Sequence, residues 1–249
     1  MRWVIAACFL LPLVASGARA DQINLLSPPM ITNAGLKEIN ARYAEKSRNS
    51  LAVDGAEIGR LADKIKTAQP PADVIFLPTD MIARLEADGV TKPGARVHLG
   101  RMEIGLAVPK GAPHPDISTI AKLASALRSA RLVVYSNPAN GSLQARIIDG
   151  LLNRPEFSGV NKAVSTRGNG IAALARGDGD MALQLVCEIL DRPETELVGP
   201  LPPELNASID ADAAMLADAP HPKAAADYLL HITQPESAAI WASKGLVRK

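Results

Sequence analysis

The sequence predicts an α/β fold of two lobes, each a mostly parallel sheet covered by helices, joined by two crossing strands. Three observations carry this expectation. Between residues 23 and 87, short apolar runs alternate three times with stretches of helical 3–4 spacing, the pattern of a parallel sheet buried on both faces. A longer strand over 102–108 separates this β-α run from a second one. A crossing rich in proline (Pro200, Pro202, Pro203) then returns the chain to a last strand and two closing helices. The expected division is 21–105 together with 201–249 as lobe I, and 106–200 as lobe II.

In order, Ile23-Asn24-Leu25-Leu26 is a strand ended by Pro28-Pro29, and a helix follows from about Asn33 with Leu36, Ile39 and Tyr43 on its apolar stripe. Leu51-Ala52-Val53 is a second strand, closed by Asp54-Gly55; Ile58, Leu61 and Ile65 mark a helix stopped by Pro70-Pro71. Val74–Leu77 is a third strand, with a helix from about Thr79 to Ala87 behind it. Beyond the strand over 102–108 and its Pro109-Lys110-Gly111 break, a helix runs from Ile117 to about Arg128. Val160–Thr166 and 181–186 read as strands, 168–176 as a helix and 187–190 as one helical turn. Ser208–Leu216 reads as a strand, and 222–232 and 235–244 as the final helices.

The stretch 131–150 holds the strongest candidate for ligand chemistry. Leu132-Val133-Val134-Tyr135 has the composition of a strand buried on both faces. Ser136-Asn137-Pro138-Ala139-Asn140-Gly141 is turn chemistry, and Ser142 precedes a helical spacing of Leu143, Ile147 and Leu151 as its N-cap. A parallel strand passing through a glycine turn into a helix aims free N–H groups and the positive dipole end at one spot, which favours an anion. An ordinary β-turn-α connection is the competing reading. Arg167-Gly168-Asn169-Gly170 is a second loop-to-helix junction. Glu188 follows an apolar strand, where strand ends meet a cleft in such folds, although helix-terminal placement explains it equally. Gln184, polar within an apolar strand, needs a partner if buried.

Residues 1–20 precede the fold. A charged start, an apolar core from Trp3 to Val14 and the end Ala18-Arg19-Ala20 make a secretory signal peptide cleaved after Ala20, which directs the product to the periplasm. The core is too short to span a bilayer, and it continues past Cys8, unlike a lipoprotein box. Processing leaves 229 residues and removes two arginines, for a net charge of −1 with histidine neutral. Cys187 is then the sole cysteine, which excludes an internal disulfide and a cysteine-rich metal site. Near-neutral charge without basic runs argues against nucleic acid as a partner. The four histidines lack metal-ligand spacing, so no metal is expected. No Walker loop, dinucleotide fingerprint or G-x-S-x-G elbow is present, and no cofactor is expected.

The leader, the strand over 23–26, Pro71-Ala72-Asp73-Val74-Ile75 and Leu197-Val198-Gly199-Pro200-Leu201-Pro202 resemble the periplasmic molybdate-binding-like proteins of ATP-driven (ABC) importers, the last block being typical of one of the family's less characterised branches. The resemblance implies a type II periplasmic binding protein fold, a solute held between lobes, and delivery to the membrane subunits of an ABC permease. It also implies oxyanion ligands from hydroxyl side chains, and here the sequence departs. The first family serine falls at Met30 or Ser27, the second at Glu57-Ile58, and the family tyrosine at Leu185. A carboxylate at Glu57 repels a dianion by about 4 kcal/mol at ~4 Å with an effective dielectric near 20. The expected function is therefore capture, by a monomer, of a small anionic or polar solute, a carboxylate in preference to molybdate, without bond breaking. Ser27, Glu57, Gly141, Ser142, Asn169 and Glu188 are the expected cleft residues. The rival readings are an exported enzyme using Glu57 or Glu188 as acid or base, and a sensor or interaction module that has lost its ligand.

Overall fold

The computed structural model describes residues 21–248; the expected signal peptide, 1–20, lies outside them. Strand β1 (Gln22–Ser27) pairs in parallel with β2 (Ser50–Gly55) on one side and β3 (Val74–Pro78) on the other. Helices α1 (Pro29–Ile31), α2 (Lys37–Lys46), α3 (Ile58–Thr67) and α4 (Thr79–Ala87) connect these strands. Helix α2 does not begin at Asn33 as its spacing suggests. The helical path starts at Pro29 and passes through a π-helical turn over Thr32–Leu36, where Gly35 leaves helical geometry. Proline at a first helical position costs nothing, because its missing N–H has no helical partner there.

Strand β4 (Thr91–Pro109) is much longer than the expected 102–108. Its first part contains Pro93 and Gly94 and is bulged between Thr91 and Arg96, which hid it from a pattern search. Up to Glu103, β4 pairs antiparallel with β9 (Ser208–Leu216), which also pairs with β3. The short β10 (Leu246–Val247) lies on its other side at Arg101 and Met102. From Ile104 onward the same strand pairs with β7 (Met181–Leu185) and β8 (Thr195–Pro200) instead. Among the described residues β4 is thus the backbone shared by both halves. Strand β8 was unexpected, because Gly199 and Pro200 make its sequence read as irregular.

The second half repeats the parallel plan. Helix α5 (Ile120–Ser129) leads to β5 (Val133–Tyr135), which pairs in parallel with β6 (Lys162–Val164) and β7. Helix α6 (Leu143–Leu152) follows β5, α7 (Gly170–Ala175) follows β6, and α8 (Val186–Leu190) follows β7. Helices α9 (Pro222–His231) and α10 (Pro235–Ser243) close the first half after β9. The fold is the two-lobed type II periplasmic binding protein fold, each lobe with a parallel run at its centre and antiparallel strands where the chain crosses. No helix among the described residues is long and apolar enough to cross a membrane.

Buried polar groups tie the elements together. Asp73, wholly buried, accepts the N–H of Asn24 at 2.9 Å and of His221 at 2.7 Å, joining β1 to the start of α9. Asp212 on β9 accepts from Thr79 Oγ1 at 2.7 Å, from Arg96 and from His98 Nδ1 at 2.8 Å, binding β9 to α4 and β4. Three histidines thus face carboxylates distant in sequence, Asp73, Asp212 and Glu196, pairings that no local spacing reveals. No group of three or more metal-ligating side chains occurs among the described residues.

Candidate functional site

A cleft of about 430 Å³ opens at the C-terminal ends of the parallel strands of both halves. This is where ligands bind in open α/β sheets, since every strand there hands over to a helix N-terminus or loop. The first half contributes Pro29, Asn33 from the π-helical turn, and Glu57, which precedes α3. The second half contributes Ser136, Asn137 and Asn140 from the turn after β5, Ser142 and Gln144 at the start of α6, and Gly168, Asn169 and Ala172 at the start of α7. Glu188 of α8 and Arg192 just beyond it complete the lining.

Four of the six expected residues (Glu57, Ser142, Asn169, Glu188) are therefore brought together in one cleft. Ser27 and Gly141 stand behind its wall. Ser27 is wholly buried, donates to the carbonyl of Pro28 at 3.3 Å and accepts from Thr32 Oγ1 at 3.2 Å. Gly141 adopts the left-handed conformation that ends the turn 138–140, at φ 83°, and so delivers Ser142 to its N-cap position.

The second-half wall is a surface of donors, because its side-chain oxygens are used locally. Asn169 Oδ1 caps α7 by accepting the N–H of Ala172 at 3.0 Å, and Asn137 Oδ1 accepts the N–H of Ala139 at 2.9 Å. Each amide then has its NH2 group left to offer. Ser136 Oγ accepts from the N–H of Gly170 at 3.1 Å and from Gln184 Nε2 at 3.2 Å, and donates its own hydrogen to Gln184 Oε1 at 3.4 Å, so it holds the wall together. Gln184 is wholly buried, and Ser136 is the partner its position in an apolar strand demanded. Ser142 Oγ accepts the N–H of Ala145 at 3.3 Å, as the expected N-cap of the ten-residue α6, whose first turn faces the cleft with its positive dipole end.

Gly170 makes this wall possible. A Cβ there would lie 2.6 Å from Cα of Tyr135 and 2.9 Å from its carbonyl carbon. Only glycine lets the start of α7 approach the end of β5 closely enough to reach Ser136.

Two carboxyl groups share the cleft with these donors. Glu188 is 6% exposed, and its Oε2 is buried without a hydrogen-bond partner. Burial pushes its carboxyl up to about 7, helped by the negative charges of Glu57 and Asp191 and opposed by Arg192. Burial also raises Glu57, against the nearby Arg60. The Cys187 thiol, raised by burial and by Glu188, is held as a small apolar group against the carbonyl of Met30, 3.8 Å away. Sequence reasoning saw the turn 136–141 but passed over Ser136, Asn137 and Asn140 individually. It missed Asn33, Gln144 and Arg192 altogether. Arg192 lies past the end of α8, so no helical spacing marks it in the sequence.

Comparison with known proteins places this geometry. A family model described as bacterial extracellular solute-binding protein matches residues 26–247. The substrate-binding domain of a molybdenum ABC transporter from Clostridium difficile superimposes with a TM-score of 0.75, at 11% identity, covering 92% of this chain and 100% of that one. The periplasmic molybdate-binding protein of Azotobacter vinelandii does so with a TM-score of 0.71, at 14% identity, covering 91% and 99%. In sequence, the chain is 29% identical over 177 residues to an aconitate isomerase of a Pseudomonas species, covering 71% of this chain and 67% of that protein.

Proposed function

Because the chain belongs to the bacterial extracellular solute-binding proteins, we propose that it captures a small carboxylate in the periplasm and presents it to the membrane subunits of an ABC permease. The observation that carries this reading is the asymmetry of the cleft. One wall offers hydrogens from the side-chain amides of Asn137 and Asn169 together with the start of α6, which suits an anionic group. Glu57 stands in the same cleft and disfavours a compact dianion such as molybdate, which has no uncharged end to turn toward it. A carboxylic acid with a carbon skeleton separates its charged end from its polar remainder and fits both walls. The solute contacts in this reading are Glu57, Ser136, Asn137, Ser142, Asn169 and Glu188, with Arg192 at the rim and Ser27 and Gly141 in support. The lobes are 21–105 with 201–249, and 106–200, a division supported by the change of pairing partners along β4 between Glu103 and Ile104. The protein acts as a monomer.

Calorimetry with succinate, malate, tricarballylate and trans-aconitate, beside molybdate, tungstate and sulfate, tests this. The expected result is measurable binding of at least one organic acid and weak or no binding of the oxyanions. Submicromolar molybdate binding overturns it.

One observation favours a second reading. Isomerising an unsaturated acid such as aconitate by proton removal and return needs a carboxyl group that exchanges a proton near neutrality, and Glu188, unpartnered and raised to about 7, is such a group. Incubation of cis-aconitate with the protein in heavy water distinguishes the two: isomer and deuterium in the acid mark an enzyme, and unchanged cis-aconitate marks a binder.

A further inference from the structure

We propose that Glu188 meets its solute as a neutral carboxylic acid, donating a hydrogen bond from its carboxyl group to a carboxylate of the solute, so that capture takes up one proton. This rests on the carboxylate reading above. Its basis is geometric. Glu188 lines the cleft, and its carboxyl has an oxygen, Oε2, that is buried without a hydrogen bond, so a bound group reached by turning the carboxyl is its available partner. An ionised Glu188 has only lone pairs to present and repels a carboxylate; the acid form presents a hydrogen and attracts it. Glu57, in the same cleft, pushes the balance toward the acid form, and a carboxylate arriving between them pushes it further.

The charged groups around Glu188 agree. Besides Glu57, Asp191 favours the acid form and Arg192 alone opposes it. Of the elements packed on α8, β7 and the π-helical turn carry no titratable side chain. On β4, Arg96 and His98 are turned to Asp212, and Arg101 to Asp210 with Glu103 beside it; on β8, Glu196 is turned to His114. Burial already holds the carboxyl at the edge of ionisation near neutrality, and the charge of the arriving solute adds to that push.

The test is calorimetry with malate, succinate and tricarballylate, all fully ionised above about pH 7, repeated in buffers of different ionisation heat. The expected result at about pH 8 is uptake of close to one proton per acid bound, with affinity falling about tenfold per pH unit from there upward. Glu188→Gln, which keeps a donor and cannot ionise, is expected to bind without proton uptake and without that slope; Glu188→Leu is expected to lose binding. An acid that binds with no proton uptake, or more tightly as pH rises, overturns this inference and leaves the carboxylate reading standing. Failure of every acid to bind overturns both. The proton count on the unaltered protein decides the matter even if the variants do not fold.

Discussion

At the scale of single residues, a carboxyl held unpaired in an apolar setting weakens the fold once it ionises. Unfolded, Glu188 releases its proton near 4.5; folded, it keeps it to about 7. The folded protein therefore binds the extra proton, and the stability this brings is complete below about 4.5 and is lost as pH rises through 7. Glu188→Gln should be more stable than the parent by roughly 2–3 kcal/mol at about pH 8 and no different at about pH 4; urea denaturation at both values checks it, and equal stability at the higher pH refutes it. Asp73 is the opposite case. Its carboxylate is fully used by the N–H groups of Asn24 and His221. Asp73→Ala, stranding both donors, should cost about 2–4 kcal/mol without altering solute affinity in the folded fraction. The Pro-Ala-Asp marker by which the family resemblance was read is thus a structural clasp. That is why it speaks for the fold and carries nothing about the ligand. Glu188 was legible as a cleft residue because it follows a strand, and Glu57 because the family resemblance puts a ligand position there; Arg192 and Asn33 were not, because their places depend on the packing of loops and turns.

At the scale of elements, local pattern was a good guide wherever a strand or helix is regular. The limits of β9 and α4, and the capping of α6 by Ser142, agree with their sequence signals. It failed where geometry is set by a neighbour, as in the bulged start of β4, the Gly-Pro end of β8 and the π-helical turn. Gly170 read only as part of a loop-to-helix junction, yet it governs the docking of α7 on β5. Gly170→Ala should force the start of α7 away from Tyr135, cost about 1–3 kcal/mol of stability, and reduce organic-acid affinity through loss of the Gly170–Ser136 hydrogen bond. Thermal melts and calorimetry measure the two effects. An unchanged affinity would mean that Ser136 does not need its backbone partner to face the solute.

At the scale of the whole molecule, residues from both halves line one cleft, so a solute touching both should draw them together. Small-angle scattering with and without a saturating organic acid should show a smaller radius of gyration when it is bound; superimposable curves would mean a rigid body. The halves are not independent pieces, however. Strand β4 runs through both, held by β9 and β10 before Glu103 and by β7 and β8 after it. If either half melts, the other inherits a frayed central strand with its N–H and C=O groups exposed, a loss it is poorly placed to survive. Heating should accordingly give one endotherm, with calorimetric and van't Hoff enthalpies in agreement, where two lobes joined by a mere tether would give two.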